Sequence, residues 1–323
     1  MAPHGLNPPR SPAPPVPGRH GHAHGAVDPS IAATEEGLRT VRRSFLILLL
    51  TAAGQFLVVL FSGSVALLAD AIHNVGDAGT ALPLGLAFLL ARRKPTPRFP
   101  YGFGRAEDLA GLGIVVIILL SALASGYEAI DRLLHPRPVA FLGGVAAAGL
   151  LGFLGNELVA LYRIRVGRRI QSAALIADGY HARTDGLTSL AVVLGVVGVR
   201  LGWPLADPVI GLGIAAAILG IVWQSARAVF LRMLDGVEPD VVEAIRHAAG
   251  HAIPVPQLLD VRARWLGHRL AAELDIAMEG GATLQEAERL SSAVERQLRA
   301  HLPALGAARI RVRSAGRANE ASG

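Results

Sequence analysis

Ser64-Val-Ala-Leu-Leu-Ala-Asp70-Ala-Ile-His73-Asn-Val-Gly-Asp77-Ala-Gly-Thr80 returns 108 residues later as Ser172-Ala-Ala-Leu-Ile-Ala-Asp178-Gly-Tyr-His181-Ala-Arg-Thr-Asp185-Gly-Leu-Thr188. The shared pattern is S-x-A-L-x-A-D-x-x-H-x-x-x-D-x-x-T, and both copies lie inside apolar runs. On a helix, residues four apart stack on one face, so His73 stands over Asp77 and His181 over Asp185. An Asp at a bilayer centre costs at least ~2.5 kcal/mol on insertion scales. Two such placements at matched positions, each with an imidazole one turn away, mark a functional site rather than helix-packing polarity. If the two segments pack together, two imidazoles and two carboxylates converge, and a tetrahedral set of two nitrogens and two oxygens suits zinc. Asp70 and Asp178, three residues earlier on nearly the same face, either orient a ligating His as outer partners or line the water path into the site.

Outside the repeat, the chain is apolar enough for a membrane. Its 323 residues are 52% hydrophobic and 17% charged, against about 25% charged in soluble domains, and mean hydropathy is +0.44. That composition excludes a disordered chain, which would be polar and charge-rich. Ser44–Ala69 is uncharged over 26 residues, and Leu109–Tyr127, Pro138–Asn156 and Pro208–Ala226 over 19 each; a span needs roughly 20 mostly apolar residues. Adding the two repeat-bearing stretches predicts six helices, at about 42–62, 64–91, 106–133, 139–162, 172–200 and 205–230.

The charges follow the same plan. Net charge is +6 and the pI is near 10.6, but the basic residues sit at span ends. Arg42, Arg43, Arg92, Arg93, Lys94, Arg98, Arg105, Arg163, Arg165, Arg168, Arg169, Arg227 and Arg232 fall on one side, and only Arg132, Arg137 and Arg200 on the other. Basic residues favour the cytoplasmic side, so both termini are expected in the cytoplasm. No basic soluble patch is left over, and nucleic acid is not an expected partner. The chain has no cysteine, which excludes disulfides, thiolate zinc sites, iron–sulfur clusters and thiol catalysis. Any metal must be held by His, Asp, Glu or Asn.

Residues 1–37 read as a disordered Pro/His-rich tail without the apolar core of a secretory signal. Its His20, His22 and His24 either capture a transition metal weakly or are incidental to a solvated linker. After about Leu234 the pattern turns soluble. Glu238–His251 reads as a helix with Pro239 in its first turn. Leu258–Leu266 and Leu270–Met278 alternate like strands. Leu284, Ala287, Leu290, Val294 and Leu298 mark a helix face, and Ala308–Val312 a short last strand. This α-β-β-α-β order suits a small α+β sandwich.

On the repeated H-x-x-x-D, the six spans and Tyr101-Gly-Phe-Gly-Arg-Ala-Glu107, the sequence resembles the cation diffusion facilitator family of divalent-metal transporters from about residue 40 to 313. The resemblance implies a polytopic α-helical membrane protein with six transmembrane helices and a C-terminal cytoplasmic α+β domain, ferredoxin-like and metallochaperone-like. The expected division is a tail over 1–37, a transport domain over 38–233, a regulatory and dimerisation domain over 234–314 and a tail over 315–323. It further implies an integral membrane protein, in the cell membrane if the source is bacterial, working as a homodimer in the lipid bilayer. Such a protein exports Zn²⁺ or a related cation from the cytoplasm in exchange for protons, through His73, Asp77, His181 and Asp185. It is not an enzyme and needs no resident cofactor, the metal being cargo.

Some members of that family carry a second metal site between spans two and three. Here Phe99 and Phe103 stand where its histidines would fall, so that site is expected to be absent. Arg105 and Asp235 resemble a charge cluster between membrane and cytoplasmic domains, and an isolated surface pair would contribute only ~0–1 kcal/mol. His247, His251 and His268 are candidates for a weak cytoplasmic metal site, with ordinary surface histidines the alternative. Asn156 and Glu157 either modulate the transport site or make a helix contact. Cd²⁺, Co²⁺, Ni²⁺ and Fe²⁺ are alternative cargoes, since imidazole and carboxylate suit several of them. From other classes, a membrane metal sensor or an intramembrane metal-dependent hydrolase remains, the latter needing an open coordination position and a general base.

Overall fold

The computed structural model describes residues 29–62, 81–135, 142–203, 205–253 and 257–314. Helix α1 spans Pro29–Ser62, α2 Ala81–Ala91, α3 Arg105–Leu134, α4 Leu142–Arg169, α5 Ala173–Arg200 and α6 Ala206–Met233. Among the described residues, five of these helices are long and apolar enough to cross a membrane, and α2 is the second half of the predicted 64–91 span. Their outward faces carry exposed Leu50, Leu60, Leu82, Leu120, Leu150 and Trp223. Facing hydrocarbon, such residues cost nothing in exposure, and each helix satisfies its own backbone hydrogen bonds.

The tail expected to reach residue 37 is helical from Pro29 onward. Proline at a first helical position is pre-organised for the turn, and tertiary packing holds the extension in place: Thr34 and Thr40 are buried.

The connection between α4 and α5 sets the register of the transport domain. After Arg169 the chain turns through Gln171, whose φ is 59°. Ser172 then caps α5, its hydroxyl accepting from the Leu175 amide at 3.1 Å. So short a turn forces α4 and α5 to pack antiparallel along their length, and Gly179 lets them approach: a Cβ there would lie 2.6 Å from Ile164 Cγ1 and 3.0 Å from the Ile164 amide. Small residues at such contacts bring membrane helices close. At the opposite end, Arg132 Nη1 donates to Asp207 Oδ2 at 2.8 Å and ties α3 to α6.

The C-terminal part is a small α+β unit. Helix α7 (Pro239–Gly250) leads to β1 (Leu258–Leu266), β2 (Arg269–Met278), α8 (Leu284–His301) and β3 (Leu305–Ser314). β2 is central, antiparallel to β1 and parallel to β3, with α8 as the crossover that a parallel pair requires. Leu270, Ala272, Leu274 and Ile276 of β2 are buried with Ile245, Val294 and Leu298 of the two helices. The first residue of the expected α8 face, Leu284, is instead exposed, at the first position of the helix. Thr283 closes a capping box with Glu286 at the start of α8. β3 is longer than the expected 308–312, because the parallel ladder with β2 runs from Leu305 beside Leu270 to Ser314 beside Met278, and Arg313 and Asp275 pair across it at 2.6 Å.

Candidate metal-transport site

The second copy of the repeat lies wholly within the described residues and the first does not: Asp70, His73 and Asp77 are outside them. The repeat's opening Ser is the N-cap of α5, which explains why a serine begins the pattern. By the 1.5 Å rise per residue, His181 and Asp185 stand about 14 and about 20 Å along α5 from that cap. The helix itself is about 42 Å long, so the pair sits near its middle. His181 is 1% exposed and Asp185 4%. His181 Nδ1 and Asp185 Oδ2 are 3.7 Å apart, one turn from each other as the spacing required. The described half of the second span joins them in the bundle: Ala81, Leu84 and Phe88 of α2 share one hydrophobic cluster with Ala174, Leu175 and Ala177 of α5.

Asp178 has a partner that sequence reasoning missed. Its carboxylate lies 3.0 Å from Arg163 Nη1 of α4, both side chains essentially fully buried. Arg163 had counted among the cytoplasmic loop residues; α4 continues past it and the α4–α5 turn folds it back against α5. The pair is neutral overall. Asp178 is only three residues from His181, roughly 4.5 Å of helix rise, so without the carboxylate a buried guanidinium would repel a cation at the site. Nothing local in the sequence separates Arg163 from Arg165 or Arg168. The signal available was its separation from Asp178 by only 15 residues across the predicted connection at 163–171.

Asn156 and Glu157 make helix contacts. Asn156 is buried beside Gly186, and Glu157 takes two hydrogen bonds from Arg183, at 2.6 and 3.1 Å. In the loop between α2 and α3, Phe99 and Phe103 pack ring to ring with centroids 4.8 Å apart.

The charge pair expected at the domain junction is present and belongs to a network. Arg105 hydrogen-bonds Asp235 and donates through Nη1 to the Arg232 carbonyl at 2.7 Å. Arg264 stands 3.6 Å from the same Asp235. Arg232, also counted as a loop residue, is buried instead. Its guanidinium lies 4.5 Å from the Trp265 ring centre and donates to the carbonyls of Gln171 at 2.6 Å and Gly267 at 3.2 Å.

His268 does not join His247 and His251. It occupies the two-residue turn of the β1–β2 hairpin, 3% exposed, where that turn enters the membrane domain. Its Nδ1 lies 2.7 Å from Glu107 Oε2 of α3, and its Nε2 3.0 Å from the Thr34 hydroxyl of α1. Gly267 precedes it with φ of 64°, and a Cβ there would stand 2.8 Å from Glu107 Oε2; only glycine admits that turn and that approach. Glu107 therefore fixes His268 as a docking residue. His247 and His251 remain together at the end of α7 and are joined there by His301 of α8.

A family model of the cation efflux transmembrane domain matches residues 41–234, and one of the cation efflux protein cytoplasmic domain matches residues 237–312. A probable cation efflux system protein of Mycobacterium tuberculosis is 52% identical over 90% of this chain and 88% of its own. The magnetosome protein MamB of Magnetospira is 29% identical over 75% of this chain and 83% of its own. The manganese efflux system protein MneS of Bacillus subtilis is 24% identical over 73% and 81% respectively.

Proposed function

The chain belongs to the cation diffusion facilitator family of cation efflux transporters, and from that premise we propose that its cargo is Zn²⁺, exported from the cytoplasm in exchange for protons. The observation that carries the proposal is the buried His181–Asp185 pair at mid-helix on α5. His73 and Asp77, at the same spacing in the first repeat copy, supply the other half of a tetrahedral set. Two imidazoles and two carboxylates are a zinc-type donor set.

Proton exchange follows from the ligands. A ligating imidazole must be deprotonated, so metal binding releases protons and proton binding expels metal. An unperturbed His titrates near pH 6.5, so exposure to a more acidic outer medium favours release. The site alternates between the two sides as helices rock around it. Both termini lie in the cytoplasm on this reading, because the basic span ends gather on one side. The cytoplasmic domain, matched over 237–312, supports a homodimer as the working unit. The chain moves its cargo without chemical change.

The test is Zn²⁺ flux into proteoliposomes under an imposed proton gradient. His181→Ala and Asp185→Ala should each abolish flux while the protein still assembles; wild-type flux in either would sink the assignment. The similarity to a manganese efflux protein makes Mn²⁺ the second cargo to measure, beside Cd²⁺, Co²⁺, Ni²⁺ and Fe²⁺. Imidazole favours zinc over manganese, and carboxylate the reverse. His73→Asp should therefore raise Mn²⁺ and Cd²⁺ flux relative to Zn²⁺.

A further inference from the structure

The junction between the two domains holds a cleft of about 160 Å³ that the transport reading does not use. One wall belongs to the membrane domain: Ala91 at the end of α2, then Arg93 and Tyr101 of the loop that follows. The other belongs to the cytoplasmic domain: Arg269 at the start of β2 and Gly306 near the start of β3.

Each wall contributes one arginine, and no carboxylate lines the cleft. The neighbouring carboxylates are engaged elsewhere. Glu35 stands 3.7 Å from Arg92, and Asp235 pairs with Arg105 and Arg264. The chain that enters the cleft reads Arg92-Arg93-Lys94, with Arg98 to follow and no acid between Asp77 and Glu107. Its loop is shaped in advance: Thr96 and Phe99 exchange backbone hydrogen bonds at 3.0 and 3.1 Å, and Gly102 turns with φ of 78°. Two guanidinium groups on opposite walls suit a phosphate, which arginine holds through parallel N–H donors.

The surroundings point to a lipid as the source of that phosphate. Leu82, Leu86 and Leu89 of α2 are exposed and share one face of the helix. That stripe ends two residues short of Ala91, where α2 meets the cleft. Phe99 and Tyr101 are exposed beside it, as aromatic residues are at a membrane–water boundary. A choline or ethanolamine head finds no carboxylate here, and the Tyr101 ring already carries Arg264 at 5.5 Å. A head of net negative charge is therefore selected.

We propose that this cleft binds an anionic glycerophospholipid. Its phosphate bridges Arg93 of the membrane domain and Arg269 of the cytoplasmic domain, and its acyl chains lie along Leu82, Leu86 and Leu89. Basic pockets at the ends of membrane helices recognise such headgroups. The lipid ties the two domains together independently of the cargo reading.

The experiment is native mass spectrometry of the full-length chain in detergent, titrated with dioleoylphosphatidylglycerol or dioleoylphosphatidylcholine. The expected result is one retained phosphatidylglycerol, bound at least about tenfold more tightly than phosphatidylcholine. Arg93→Gln and Arg269→Gln should each weaken it about fivefold, the weight of one basic residue at an anionic surface, and the double variant about 25-fold. Arg93→Lys and Arg269→Lys keep the charge and should each bind more tightly than the Gln counterpart. Arg227→Gln removes the same charge from the same side, outside the cleft, and should change binding less than about twofold. Millimolar inorganic phosphate should not displace the lipid. Equal retention of the two lipids, unchanged binding in the double variant, or an equal loss in Arg227→Gln overturns the proposal. Displacement by inorganic phosphate also overturns it and assigns the cleft to a soluble anion. Circular dichroism confirms folding; should Arg269→Gln unfold, Arg93→Gln and Arg93→Lys, changed at an exposed position, decide.

Discussion

The Arg163–Asp178 pair offers the sharpest test of how the membrane domain is held together. Both groups are buried, their charges 3.0 Å apart, on helices joined by a tight turn. Removing one partner leaves an uncompensated charge where no water reaches it, and such losses run to about 3–5 kcal/mol. At 1.4 kcal/mol per factor of ten, that is roughly two to three and a half powers of ten in the folded-to-unfolded ratio. Replacing both partners removes the desolvation cost of each. Arg163→Met with Asp178→Asn should therefore restore most of what either change loses, a coupling of at least about 2 kcal/mol against additivity. The measurement is reversible unfolding of the four proteins in one detergent, with thermal midpoints as the second readout. Two single variants within about 1 kcal/mol of the parent, or a double variant that loses the sum, would refute the argument and reduce the pair to a bystander. Flux adds a functional readout. Asp178→Asn leaves a bare guanidinium close to His181 and should weaken cargo binding, and the double variant should recover it.

Other predictions concern the contacts that position the site. Gly179→Val places new carbon against the Ile164 amide, 3.0 Å from the would-be Cβ; backbone cannot yield there, so overpacking should cost about 1–3 kcal/mol and lower flux with the cargo ligands intact. At the domain junction, His268→Ala strips Glu107 of a buried partner at 2.7 Å, a loss of about 1–3 kcal/mol, read as faster limited proteolysis between the two domains. In the cytoplasmic domain, the Thr283 amide and hydroxyl hold the Glu286 carboxyl below its usual pKa. The contribution is therefore present above the unfolded-state pKa and disappears as pH falls through the lower folded value. Glu286→Gln should flatten that acid limb of the stability curve, and an unchanged limb would remove the capping carboxylate from the account.

Much of this protein is legible in its sequence, because membrane insertion and helix periodicity are local and repetitive. Four of the long apolar helices follow from runs of uncharged residues, and α5 and the half-span at Ala81–Ala91 from the two repeat-bearing apolar stretches. The His181–Asp185 contact follows from a four-residue spacing that a helix converts directly into adjacency. The order of helices and strands in the cytoplasmic domain follows from alternation and capping signals. Hydrocarbon excludes ionisable groups so strongly that two matched exceptions were enough to mark a site.

The tertiary structure alone decided which long-range partners meet. Arg163 looks like any other basic residue at a span end, and only the register of α4 against α5 turns it inward to Asp178. His268 shares its chemistry with His247 and His251, but the hairpin carries it into the junction with Glu107 and Thr34. His301, fifty residues from His251 in sequence, takes the place beside them because α7 and α8 end at the same corner of the sheet. Spacing determines what shares a face of one helix. Which faces meet depends on turn geometry and on how closely small residues let helices pack, and those are properties of the whole fold.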